Sequence, residues 1–239
     1  MRGGWRERAS EKELMDDPAA DEELLLATVR QFGPINRLLS RSRSLIRRYI
    51  LRDARRRGLS SFTVLDLGAG GGDIADWLVT AARRRGQYVR VICLDSDPRI
   101  AAYARRRLGG NPELEILEAS AEELPRFGPV DYIFANHFLH HLDEEEILML
   151  LPLLREQARC GFLLNDLRRS RLSYLGYTLL AAIFFRGSFA FYDGRLSIRR
   201  GFLRGELERL LCRAGLPAEG RVRSLFPGRL AIVWQAPGL

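Results

Sequence analysis

The sequence predicts an α/β protein built on a doubly wound, seven-stranded sheet, and three observations carry that expectation. Short apolar runs at 62–68, 88–95, 114–119, 130–136, 158–166, 219–226 and 229–235 read as strands. Helical stretches of three- and four-residue apolar spacing separate the first three runs and the fourth from the fifth, an order that implies a parallel sheet with helices on both faces. The first run closes in a glycine-rich turn, VLDLGAGGG (64–72), that leads into a helix.

Residues 1–18 read as a charged, loose lead. Leu24, Leu25 and Val29 give 21–30 one apolar face, a short helix that FGP (32–34) is expected to end. A second helix is expected over 35–57, with Ile35, Leu38, Leu39, Ile46, Tyr49 and Ile50 at helical steps and Gly58 as its stop. These make an expected N-terminal helical cap, 1–58, ahead of a domain spanning 59–239. Further helices are expected at 73–85, 98–108, 144–157 and 203–214. Residues 167–200 interrupt the alternation as a helical insert. Its stretches LSYLGYTLLAAIFF (172–185) and SFAFY (188–192) suit a lid over an apolar or aromatic ligand. The first of these is too short to span a bilayer, so no membrane span is expected.

The charge is +8 with 38 basic residues, and Lys12 is the one lysine among them. Arginines cluster in triplets (Arg55–Arg57, Arg83–Arg85, Arg105–Arg107) near expected helix ends, where they complement the helix dipole and stay solvated. Nucleic acid is therefore not the expected partner. Cys93, Cys160 and Cys212 are odd in number and far apart, which frames neither a zinc site nor disulfides and points to a reducing compartment. With no apolar leader in MRGGWRERASEKELMDD, the expected location is the cytoplasm.

The glycine loop discriminates between nucleotides. Gly68, Gly70 and Gly72 let the backbone turn tightly and approach a ligand. A dinucleotide fingerprint needs glycine where Asp73 stands, and the carboxylates of Asp66 and Asp73 would repel a pyrophosphate. They would instead attract S-adenosylmethionine, whose sulfonium and α-ammonium are positive. Asp95 ends the second strand, placed to accept hydrogen bonds from both ribose hydroxyls.

Together these stretches resemble the class I S-adenosylmethionine-dependent methyltransferases over about residues 30–235. VLDLGAGGG is similar to their first motif, VICLDSDPRIAAYAR to their second, SAEELP (120–125) to their third, and VDYIFANHFLHHL to the box after the fourth strand. HHL, NDLRRSRLSYLGY (165–177) and YDGRLSIRR (192–200) are further similar to a bacterial small-molecule branch allied to quinone- and polyketide-pathway methyltransferases. The resemblance implies a Rossmann-like fold, S-adenosylmethionine as methyl donor, and a small-molecule acceptor in a monomer or homodimer. It implies donor contacts from Asp66, Gly68, Gly70, Gly72, Asp95, Ser120 and Asn136. Ser120 stands where the family has an aspartate facing the adenine, and Glu122 is a candidate to compensate.

NHFLHHLD (136–143) holds all three histidines of the chain, His137, His140 and His141, at the carboxyl end of the fourth strand where an acceptor docks. A metal centre needs three or four ligands at usable spacing, and no cysteine lies near, so no metal is expected. Methyl transfer needs alignment above all, and a hydroxyl acceptor must also lose a proton, a task suited to a neutral imidazole. His141 is the expected base, on the family's pattern, and His137 the second choice. His140 is expected to pack near the helix that begins at Asp143. Asp166 and Arg168 read equally as acceptor lining or as a salt-bridged helix start. The chain has no Asn/Asp-Pro-Pro-aromatic box and no cysteine nucleophile after the fourth strand, which argues against methylation of a nucleobase. The expected reaction is O-methylation of a hydroxylated aromatic or polyketide-like molecule. C-methylation of a quinone-like ring and methylation of RNA are the alternatives.

Overall fold

The computed structural model describes residues 5–216 and 221–237. β1 (Ser61–Leu67), β2 (Tyr88–Asp95), β3 (Leu114–Glu118), β4 (Val130–Asn136), β5 (Ala158–Leu167), β6 (Arg221–Leu225) and β7 (Arg229–Gln235) form one sheet in the order β3-β2-β1-β4-β5-β7-β6. Residues 219 and 220 of the expected sixth strand lie outside the described residues. Alternation within each strand feeds two cores. Val64, Val91 and Phe134 face one side, while Leu65, Ile92 and Ile133 face the other.

β1 to β5 pair in parallel, as expected, but β7 runs antiparallel to both β5 and β6. The sheet is therefore mixed rather than parallel throughout. The reason is local: only the turn 226–228 separates β6 from β7, too little chain for a crossover, so the pair must form a hairpin. β1 sits between β2 and β4: the chain runs from β1 through β2 to β3 on one side of it, then crosses back to β4 on the other. That switch opens a crevice at the carboxyl ends of the strands.

α4 (Asp73–Arg83), α5 (Pro98–Leu108), α6 (Glu144–Gln157) and α9 (Arg204–Arg213) match the expected helices within two residues at each end. The amino-terminal helices do not. α1 runs Glu22–Leu38, straight through Gly33 and Pro34, and the break falls at Leu39–Arg41, where Arg41 takes φ 61. Tertiary bonds decide this boundary. The Asn36 amide donates to Asp73 at 3.1 Å and its carbonyl oxygen accepts from Asn136 at 2.9 Å, which holds the turn after Pro34 against the strand ends. Beyond the break, α2 (Ser42–Ile46) and α3 (Arg52–Arg56) continue through a π-wound segment, Arg47–Leu51, and Gly58 at φ 73 ends the run.

The described part of the lead is not loose. Arg169 donates to the carbonyls of Trp5 and Arg6, and Arg8 donates to those of Arg200, His140 and Leu142. Asp193 accepts the N–H groups of Leu14 and Met15 at 2.8 and 3.0 Å. This strap lies against the insert, which forms α7 (Arg171–Phe184) and α8 (Ala190–Arg200). Among the described residues, no helix is long and apolar enough to cross a membrane.

Candidate active site

A cleft of about 990 Å³ opens at the carboxyl ends of β1, β2 and β4, and most of the residues singled out by sequence line it: Asp66, Gly68, Gly70, Asp95, Ser120, Asn136, His137 and His141. Its walls come from the strap, α1 and the insert, including Phe32, Met15, Tyr177 and Ile198.

One end is acidic. The loop after β1 keeps φ 64, 56 and 71 at Gly68, Gly70 and Gly72. A Cβ on Gly68 would stand 2.8 Å from the Phe138 ring, so the loop passes close beneath it. The Gly70 N–H donates to Asp95 at 2.9 Å. Gly72 does not line the cleft. A Cβ there would meet Leu108 at 2.5 Å, so this glycine lets α4 pack on α5. Burial, reinforced by the nearby charges of Asp73 and Asp95, pushes the Asp66 carboxyl well above its usual range. Burial likewise lifts Asp95 to about 6, although the N–H groups of Asp97 and Gly70 oppose the shift. Burial raises Asp73 too, against its bond with Asn36. Three crowded carboxyls that resist ionising together are a receptor for a cation. Ser120 and Glu122 flank this end, and the Ser120 N–H donates to Glu123 at 3.1 Å. Asn136 forms part of the floor, its carbonyl oxygen accepting from Asn165 at 2.7 Å.

The other end holds the three imidazoles, and the fold gives each a different state. His137 takes φ 58 at the end of β4, and its ring accepts from Arg229 at 2.7 Å. Burial and the Arg229 charge hold its pKa well below the usual value, so it is neutral. His140 is buried between two carboxylates, with Nδ1 2.7 Å from Asp166 and Nε2 3.4 Å from Glu13. Burial opposes its charge, but the field and hydrogen bond of Asp166, with Glu13 adding to them, raise it to about 9. It is an imidazolium at neutral pH and cannot accept a proton there. His141 is partly exposed, lines the cleft and sets Nδ1 3.1 Å from Asp16. With Nδ1 held by a carboxylate, Nε2 is the nitrogen left to accept a proton. Asp16 is partly buried, which raises it, yet its bond to His141 and the charge of Arg200 hold it below the usual carboxylate range.

Glu13, His140 and His141 each offer a ligand atom within 4.8 Å of the others. Burial raises the Glu13 carboxyl, yet the charge of His141 and hydrogen bonds from His140 and, at 2.7 Å, from Ser197 hold it below the usual carboxylate range.

Two expected residues fall outside the cleft. Asp166 is buried beneath it, accepting from the His140 backbone and ring, and Arg168 is exposed with its N–H on Gly228. Neither forms the salt-bridged helix start considered as the alternative. The functional side chains that sequence reasoning missed are Glu13, Asp16, Asn36 and Arg229. ELMD carries no signal that separates it from a solvated charged run, because its partners are more than a hundred residues away.

Comparison with known proteins places this geometry. Residues 64–160 match the protein family described as a methyltransferase domain. The match runs from β1 to the start of β5, the part of the chain that carries the glycine loop and the histidine segment. No curated protein matches the sequence. Among solved structures, the plantazolicin methyltransferase BpumL in complex with SAH aligns over 94% of this chain and 93% of its own, at 14% identity and a TM-score of 0.67. A SAM dependent methyltransferase from Aquifex aeolicus covers 90% of this chain and 98% of its own, at 18% identity and a TM-score of 0.55. The mitomycin 7-O-methyltransferase MmcR aligns over 93% of this chain at 21% identity and a TM-score of 0.57, and the chain spans 59% of its length. These likenesses establish the fold. The acidic end of the cleft fits S-adenosylmethionine: buried, crowded carboxyls, Asp66 and Asp95 raised by burial, face a loop whose glycines leave room for a ligand.

Proposed function

We propose that this methyltransferase transfers a methyl group from S-adenosylmethionine to a hydroxyl oxygen of a small aromatic or polyketide-like acceptor. S-adenosylmethionine supplies a methyl group activated by its sulfonium leaving group. Asp66, Gly68, Gly70 and Asn136 would hold its amino-acid end, Asp95 its ribose, and Ser120 its adenine. Gly72 serves by shaping the loop. The cap 1–58 and the insert 167–200 close the cleft around the acceptor. The acceptor is positioned by the apolar surfaces of Phe32, Met15 and Tyr177, and alignment of this kind supplies roughly 7–11 kcal/mol in favourable intramolecular reactions.

One observation carries the choice of oxygen: a partly exposed imidazole, His141, faces the cleft with its other nitrogen on Asp16 at 3.1 Å. That pairing sets the tautomer and leaves Nε2 to remove the acceptor proton as the methyl is delivered. His137 is the second candidate, but its ring nitrogen is already occupied by Arg229. A mitomycin 7-O-methyltransferase among the solved structures of this fold supports the choice of oxygen.

The test is a panel of phenols, enols and neutral quinone-like rings, with RNA as a further arm, incubated with methyl-labelled donor and read by mass. Wild type should label phenolic oxygen. His141→Ala should lose about 10²–10⁴-fold in turnover with donor affinity unchanged. Labelling on ring carbon, with His141→Ala near wild type, would replace this reading by C-methylation.

A further inference from the structure

The insert carries a feature that closing the cleft does not use. Along α7, Leu172, Leu175, Leu179 and Ile183 are 60–77% exposed, and Phe184 at its end is 66% exposed. At about 100° per residue, the first four fall within an arc of about 80° on one side of the helix. The inward side is already occupied: Ala181 is fully buried with Ile35 and Phe185, and the Tyr177 hydroxyl donates to the Ala190 carbonyl at 2.7 Å. The outer stripe therefore cannot be buried by turning the helix without stripping the cleft wall. Phe226, 84% exposed in the β6–β7 turn, lies on the segment that approaches the start of α7, where a Cβ on Gly228 would meet Ser173.

The charges around the stripe choose its occupant. No acidic residue occurs between Arg168 and Arg186, while Arg168, Arg171 and Arg186 are exposed at its two ends. Pairing with a second copy, parallel or antiparallel, would set arginine against arginine with no carboxylate in this stretch to relieve it. An anionic lipid surface takes both features at once, since apolar side chains enter the acyl boundary and flanking arginines reach the headgroups. The helix is too short to span, so it would lie in the interface.

We propose that α7 docks this protein on anionic phospholipid membranes through Leu172, Leu175, Leu179, Ile183 and Phe184, flanked by Arg168, Arg171 and Arg186. Docking sets the cleft wall, through Tyr177 on the opposite side of the same helix, next to the bilayer from which an apolar acceptor can enter.

The full chain is sedimented with vesicles of phosphatidylcholine alone and of phosphatidylcholine mixed with phosphatidylglycerol, at low and high salt. Binding is expected to the mixed vesicles, weakened by salt and reduced about tenfold or more in Leu175→Glu/Leu179→Glu. Both substitutions are on exposed positions, so the variant's melting curve should match wild type, and this check holds whether or not the methyl-transfer reading survives. Light scattering of the same samples reads the alternative. A wild-type dimer that the double substitution dissociates, or wild-type protein that ignores anionic vesicles, overturns the proposal.

Discussion

The charge on His140 is the most quantitative consequence of the fold, because it separates the buried, charged histidine from the proposed base. Its imidazolium sits 2.7 Å from Asp166 and 3.4 Å from Glu13, and its pKa rises from 6.5 to about 9. Its backbone N–H also donates to Asp166, while Arg8 and Arg200 donate to its carbonyl and keep the segment in place. A folded-state pKa above the unfolded one means that the native protein holds the proton more tightly. The stabilisation is complete below about pH 6.5, shrinks above it, and is gone once pH passes about 9. At about 1.4 kcal/mol per pH unit, the pair contributes about 3 kcal/mol, counted once for His140 and Asp166 together. For a chain of this length that corresponds to roughly 6–12 °C in melting temperature. The assay is a thermal melt at closely spaced pH values across that window, for wild type and His140→Gln. Wild type should lose stability as pH rises. His140→Gln, which leaves two buried carboxylates unpaired, should be weaker by about 3–5 kcal/mol at neutral pH and should lack the alkaline decline. A wild-type melting temperature that stays flat between 6.5 and 9 refutes the buried imidazolium even if the variant does not fold.

Three further outcomes follow from the site. Asp16→Asn should lower turnover by about tenfold to a hundredfold, less than loss of the base itself, with donor affinity retained; an unchanged rate would free His141 of its orienting partner. Gly72→Ala, which sets a Cβ against Leu108 at φ 71, should cost about 1–3 kcal/mol in a melt while S-adenosylhomocysteine still binds; lost affinity without lost stability would return Gly72 to the ligand site. Donor affinity should weaken as pH falls through about 6, because ionised Asp95 is the form that accepts the ribose hydroxyls, and Asp95→Asn should abolish that dependence.

The strands and the glycine loop were legible because their signals are local. β2, β4 and β7 match the expected runs at both ends, and Asp66 and Asp95 stand at or next to strand ends by spacing alone. The failures have one cause, which is pairing across long sequence distances. FGP reads as a stop, but Asn36 is tied to Asp73 and Asn136, and those bonds carry α1 through Pro34. SEKELMDD reads as solvated, but Glu13 is buried on His140 and Ser197. Of the three histidines, sequence placed all of them at the acceptor end, yet only the partners Arg229, Asp166 and Asp16 separate the occupied ring from the imidazolium and the proposed base.

The central claim is that the crowded carboxyls beside the glycine loop hold the methyl donor, and titration calorimetry with S-adenosylhomocysteine tests it most directly. The account predicts one site per chain in wild type, with affinity at least about tenfold weaker in Asp95→Ala, a loss of about 1.4 kcal/mol or more. Folded wild-type protein that takes up no S-adenosylhomocysteine at millimolar ligand, or an Asp95→Ala variant that binds as tightly as wild type, would contradict it.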